Sequence, residues 1–117
     1  MITDNLKGVA FLVTGEQLGI SDAAPGINLM NNFIDALAQK PTVPDAIMLV
    51  NTGVKLAVED SGAFEGLKTM AERGCDVLSC GMCLDYYKLT KRLGVGRISN
   101  MEEITGIITS AERTVTL

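Results

Sequence analysis

The chain is 117 residues long, 47% hydrophobic and 21% charged, a balance that suits one soluble globular domain with an adequate core and speaks against disorder. Its longest apolar runs, residues 9–13 and 46–50, fall far short of the roughly 20 residues that cross a bilayer, so no membrane segment is expected. The net charge of -4 and a pI near 4.7 argue against indiscriminate nucleic-acid binding, and the absence of histidine removes Ser-His, Cys-His and His-ligated metal mechanisms.

Residues 1–7 alternate polar and charged types and lack the pattern of a signal peptide, which makes the cytoplasm the expected address. Three cysteines, an odd number with two of them close together, agree with a reducing compartment rather than a secreted disulfide framework.

Along the chain, short β-branched runs alternate with amphipathic stretches, the pattern of βαβ units around a parallel sheet. Residues 8–14 form an almost continuously apolar first strand that ends at Gly15. Ser21 or Asp22 is placed to cap the next helix, Pro25 suits its first turn, and Leu29, Met30, Phe33, Ile34 and Leu37 recur at the spacing of a sheet-facing stripe. Pro41 and Pro44 close that helix and lead into a second buried strand, residues 45–50. Residues 54–58 read as a loop or short strand.

A helix beginning at Asp60 or Ser61 turns Phe64, Leu67, Met70 and Ala71 to one side, and Gly74 stands where a left-handed residue ends it. Residues 75–79 form the third strand, and a helix over 83–93 follows, stopped by Gly94, with Lys88, Lys91 and Arg92 near its end. Residues 96–99 are a weak fourth strand. Asn100 with Glu103 resembles a capping box opening a helix with Met101, Ile104, Ile107 and Ile108 on its buried face, and residues 113–117 form a last edge strand. The expected fold is therefore a single α/β domain, three layers deep (α/β/α), with a mainly parallel sheet of about five strands.

Ligands of open parallel sheets bind beyond the carboxyl ends of the strands, so the loops at 15–19, 51–55 and 80–83 should share one rim. Only Cys80-Gly81-Met82-Cys83 brings a side chain that is nucleophilic near neutral pH. Cys83, in the first turn of a helix, meets unpaired backbone N–H groups that favour thiolate, and Cys80 stands three residues away at the strand end. Asn51, Gly53 and Lys55 of the second loop, with Gly81 and Met82 of the third, are the expected substrate-binding residues. Cys75, at the other end of its strand, reads as buried filler.

Competing chemistries fit less well. A thioredoxin-like site needs a later cis-proline, and no proline follows Pro44. One CxxC and a distant Cys75 make an incomplete zinc set, and the Gly15 and Gly19 spacing is neither a dinucleotide fingerprint nor a P-loop, so neither metal nor cofactor is expected. The acidic pairs Glu59-Asp60 and Glu102-Glu103 flank helix starts, where capping explains them.

Three segments in register, Asn51-Thr52-Gly53-Val54-Lys55-Leu56-Ala57, Leu78-Ser79-Cys80-Gly81-Met82-Cys83-Leu84-Asp85-Tyr86-Tyr87 and Ser99-Asn100-Met101, resemble the C-terminal DsrE-like domain of the YedF proteins. Leu29-Met30 with Phe33, and the closing segment from Ser110-Ala111 to Thr116-Leu117, extend the likeness over most of the chain. The resemblance implies sulfur handling: YedF proteins are sulfurtransferase-like and associated with selenium metabolism, and DsrE relatives relay sulfur as a cysteine persulfide. It matches Cys83 to the persulfide-carrying cysteine that opens the helix after a central strand, and Cys80 to an additional YedF-type cysteine.

It also implies a homo-oligomer and, as partners, proteins that donate and accept sulfur. The chain lacks the TusA-like N-terminal domain of YedF proteins, so a fragment or a stand-alone form is expected, with a TusA-like carrier among the possible partners. The resulting expectation is a sulfur-relay or sulfurtransferase-like protein carrying sulfur, or selenium, on Cys83 with Cys80 assisting. Its rivals are a non-catalytic oligomeric binding module and a CxxC dithiol redox protein.

Overall fold

The structure, a computed structural model, describes residues 5–20 and 23–117. Five strands, β1 (Val9–Val13), β2 (Ala46–Leu49), β3 (Asp76–Cys80), β4 (Arg97–Ser99) and β5 (Arg113–Thr116), form one sheet in the order β4-β3-β2-β1-β5. Every pairing is parallel, with Leu49 beside Ser79 and Cys80 beside Ser99 at the carboxyl ends. All four residues of β2 are buried, as a central strand covered on both faces requires.

Strand alternation sorts the core into two layers. Val9, Phe11, Val13, Ile47, Leu49 and Val77 face α1 (Ala23–Ala38) and α2 (Phe64–Glu72), meeting Met30, Ile34, Leu37, Leu67 and Met70. Ala10, Met48, Leu78 and Cys80 face the other way, against Ile104 of α4 (Met101–Ser110). The helix stripes are narrower than their sequence periodicity implies: Leu29 is 52% and Met101 54% exposed, and Phe33, Ile107 and Ile108 are only half-buried. The Ser21 or Asp22 cap lies outside the described residues.

Three local departures from the sequence pattern matter for the site. Residues 51–57 are neither loop nor strand but a 3-10 helix, Asn51–Ala57, entered through Asn51 at φ 55. The second helix begins at Phe64 rather than at Asp60 or Ser61, because Ser61 Oγ accepts the Ala63 N–H within a turn that precedes it. Its end is as expected: Gly74, at φ 104, donates to the Ala71 carbonyl and Cys75 donates to Met70, the paired bonds of a Schellman stop.

The helix expected over 83–93 is instead a short one, α3 (Gly81–Tyr86), followed by a separate 3-10 turn at Thr90–Arg92. It ends through a second Schellman arrangement, with Lys88 N–H donating to Asp85 O and Leu89 N–H to Leu84 O. Here the left-handed residue is Lys88, at φ 59, and buried Leu89 and Leu84 flank the turn. Gly94 therefore ends no α-helix, and of the three cations Lys88 alone stands at the end of α3, Lys91 and Arg92 lying in the 3-10 turn.

The capping box at α4 is half formed. Asn100 Oδ1 accepts the Glu103 N–H at 2.9 Å, but the Glu103 carboxylate turns to Arg97 and Ser99 instead of the cap backbone. Arg97 forks to Asp76 on its other side, at 3.0 and 2.8 Å, so one guanidinium ties the start of β3 to β4 and α4. That cation holds the Glu103 carboxyl at about 2, against an ordinary 4.5, with Ser99 adding to the effect.

Candidate functional site

The carboxyl ends of β1, β2 and β3 converge, and their loops are bonded to one another. Glu16 N–H donates to Thr52 Oγ1 at 3.2 Å, and Asn51 N–H donates to Cys83 Sγ at 3.1 Å. Gly53 makes the close approach possible: a Cβ there would lie 2.6 Å from the Val13 carbonyl oxygen. The role the structure assigns to Gly53 is thus to let the second loop close against the first.

β3 runs directly into α3, so Cys80 is at once the last strand residue and the extended residue preceding the helix, at φ -61 and ψ 121. Cys83 is the third residue of that helix. Cys80 is 3% exposed and packed in the α4-side layer, whereas Cys83 is half-exposed and touches both layers where they meet at the rim. Both thiols are free, and Cys83 packs against the layer that contains Cys80. Gly81 between them backs onto β4, where a Cβ would stand 3.1 Å from Ile98 Cγ2.

A cavity of about 370 Å3 opens over Cys83, lined by Asn51, Met82, Cys83, Tyr86 and Tyr87. Met82 and Tyr86 are 78% and 77% exposed and form its outer lip, while Tyr87 is half-buried and meets Tyr86 edge to face at 5.0 Å. Lys55 Nζ stands 4.9 Å over the Tyr87 ring and 3.8 Å from Glu16 Oε1, so its charge reaches the cavity wall partly balanced. The tyrosines follow Cys83 by three and four residues, which places them on its face of the helix, one ring packed and the other at the rim.

A larger cavity, about 690 Å3, lies at the amino end of the strands between Gly8, Pro44, Asp45, Gly74 and Glu112. It contains no thiol, and the chemistry of the side chains, not the size of the void, singles out the Cys83 rim. Cys75 sits at that amino end, buried, its thiol pushed up to about 12 by burial and then by Asp76 and Asp45. It is inert.

The electrostatics of Cys83 differ from what a helix start alone implies. Burial raises its thiol above the ordinary value, the Asn51 N–H works in the opposite direction, and contact with Cys80 raises it again, leaving a net upward shift. The resting state is a neutral thiol, reachable from solvent, with one backbone donor already aimed at its sulfur.

The chain is thus an all-parallel, five-stranded α/β/α domain with a half-exposed cysteine in the first turn of a short helix at the carboxyl rim. By sequence, residues 7–117 match the DsrE/DsrF-like family, and the chain belongs to it. Among solved structures, the ychN protein from E. coli superposes with a TM-score of 0.70 at 14% identity, covering 92% of this chain and 97% of that one. A conserved protein of unknown function from Bacteroides thetaiotaomicron, BT1422, superposes with a TM-score of 0.62 at 14% identity, covering 94% and 95%. At such identity these likenesses establish the fold alone. No curated protein shows a significant sequence match. Among the described residues, no helix is long and apolar enough to cross a membrane.

Proposed function

We propose that the protein is a sulfur carrier of the sulfur-relay type, which accepts a sulfane sulfur on Cys83 and holds it as a persulfide. The observation that carries this reading is the placement of Cys83 Sγ: half-exposed, at the wall of a cavity, and accepting the Asn51 N–H at 3.1 Å. In the loading step the Cys83 sulfur attacks the outer sulfur of a donor persulfide, the donor thiol departs with the proton, and Cys83 is left bearing the transferred sulfur. Membership of the DsrE/DsrF-like family, generally related to sulfur relay, supports the same reading.

Met82 and the two tyrosine rings give the cavity a polarisable, largely apolar wall, which suits sulfur better than a strongly hydrated anion. Selenium, softer still, fits the same wall, in keeping with the YedF likeness of the sequence. Asn51 acts through its backbone, Lys55 through its charge at the Tyr87 ring, and Gly81 by letting α3 start against β4. The donors and acceptors in this reading are other proteins, a TusA-like carrier among them, working in the cytoplasm. A homo-oligomer would cover the α4 face, where Leu12, Val50, Ile107 and Ile108 stay half-buried.

The test uses Cys80→Ala, which isolates Cys83. Treated with glutathione persulfide, this variant should gain one sulfur atom in intact mass, and the double variant lacking Cys83 as well should gain none. A Cys80→Ala protein that folds and gains no sulfur refutes the proposal.

A further inference from the structure

The two thiols of the pair are unequal in a way that restricts what each can meet. Cys83 is half-exposed at the cavity wall, while Cys80 is 3% exposed and enclosed by the layer that includes Leu78 and Ile104. A donor or acceptor arriving from solvent reaches Cys83 first, and Cys83 in turn packs against the layer that encloses Cys80. The usual order of a CxxC redox site, an exposed first cysteine and a buried second one, is inverted.

The backbone brings the pair within bonding range. Cys80 is the residue preceding α3 and Cys83 is its third residue, the two positions whose side chains face each other across a first helical turn. A disulfide across such a turn falls within the Cα separations that the bond tolerates.

Resting on the persulfide reading above, we propose a further activity: the protein discharges its own cargo by reduction, Cys80 attacking the inner sulfur of the Cys83 persulfide and releasing hydrosulfide. The step balances as Cys80–SH plus Cys83–S–S⁻ giving the Cys80–Cys83 disulfide plus HS⁻. The new S–S bond joins Cys80 Sγ to Cys83 Sγ, the bond from Cys83 Sγ to the terminal sulfur breaks, and the Cys80 proton leaves on the hydrosulfide. The Cys80 sulfur is oxidised and the terminal sulfur is reduced. A dithiol reductant from solution then reopens the disulfide and completes the cycle.

Leaving-group chemistry lets this route compete with passing the sulfur onward. An acceptor that attacks the terminal sulfur must expel Cys83 as a thiolate, and burial makes that thiolate costly to form. Attack on the inner sulfur expels hydrosulfide, the conjugate base of a stronger acid than an alkyl thiol. With selenium as cargo the same step releases hydrogen selenide, so the product class is a reduced, inorganic chalcogenide.

The experiment treats the reduced full chain with glutathione persulfide, anaerobically and without added reductant, and reads intact mass alongside released sulfide. Wild type is expected to lose two hydrogens and release one equivalent of sulfide per protein above the Cys83→Ser background. Cys80→Ala should keep its added sulfur and release none above that background. If Cys80→Ala folds poorly, Cys80→Ser serves in its place. Wild type that retains the added sulfur as Cys80→Ala does, with no disulfide, overturns the discharge step while leaving the persulfide reading intact. A folded Cys80→Ala that never loads overturns that reading and the discharge step with it.

Discussion

Asn51 donates its backbone N–H to Cys83 Sγ at 3.1 Å from a left-handed conformation, φ 55, at the point where β2 gives way to a 3-10 helix. The bond depends on backbone conformation rather than on the asparagine side chain, and asparagine is among the few non-glycine residues that accept that conformation at modest cost.

Asn51→Gly should therefore leave both stability and Cys83 reactivity close to wild type. Asn51→Val, β-branched and ill suited to a positive φ, is expected to cost about 1–2 kcal/mol and to move the Cys83 pH–reactivity profile upward as the donor swings away. Parallel alkylation-rate profiles of the two variants check this; equal midpoints for valine and glycine would show that the donor has no hold on the thiol.

Cys83 and Cys75 should separate cleanly by reactivity. With its thiol raised by burial and by Cys80, and lowered only by Asn51, Cys83 should alkylate with a midpoint above the roughly 8.5 of free cysteine. Cys75, held up to about 12, should react only on unfolding. Iodoacetamide labelling across pH, followed by peptide mapping, reads both; a Cys83 midpoint below that of free cysteine contradicts the burial argument.

Lys88 occupies the left-handed position that ends α3. Lys88→Gly should stabilise the fold by about 0.5–1 kcal/mol, the relief of a Cβ clash less the added entropy of the unfolded glycine. Urea denaturation measures the change, and a lower midpoint for the variant would count against the geometry assigned to this turn.

Arg97 makes acid stability depend on Glu103. Because the folded carboxyl titrates near 2 and its ordinary value is 4.5, the stabilisation is complete above 4.5 and disappears as pH falls towards 2. Wild type should lose thermal stability more steeply over that window than Glu103→Gln. Identical slopes would mean that Arg97 gives this exposed carboxylate no net preference for its charged form.

The parts of the fold visible in the sequence were those written in side-chain pattern. The apolar runs located all five strands to within a residue or two, and Gly74 marked the end of α2 because its φ of 104 favours glycine. The end of α3 was invisible because a lysine, not a glycine, takes the left-handed position, held there by the burial of Leu84 and Leu89. In the site, the CxxC pair and the convergence of the strand-end loops were legible. The Asn51 bond was not, since a backbone donor in an unusual conformation leaves no trace in residue type. Nor was the upward shift of Cys83, which comes from packing against both layers and from its contact with Cys80.

The central claim is that Cys83 is the sulfur acceptor, and sulfur mapping tests it most directly. After reaction of Cys80→Ala with glutathione persulfide and capping with an alkylating reagent, peptide mass mapping should find the extra sulfur on the peptide containing Cys83, and none on that containing Cys75. Added sulfur on Cys75, or none on any peptide of the folded protein, would contradict the account.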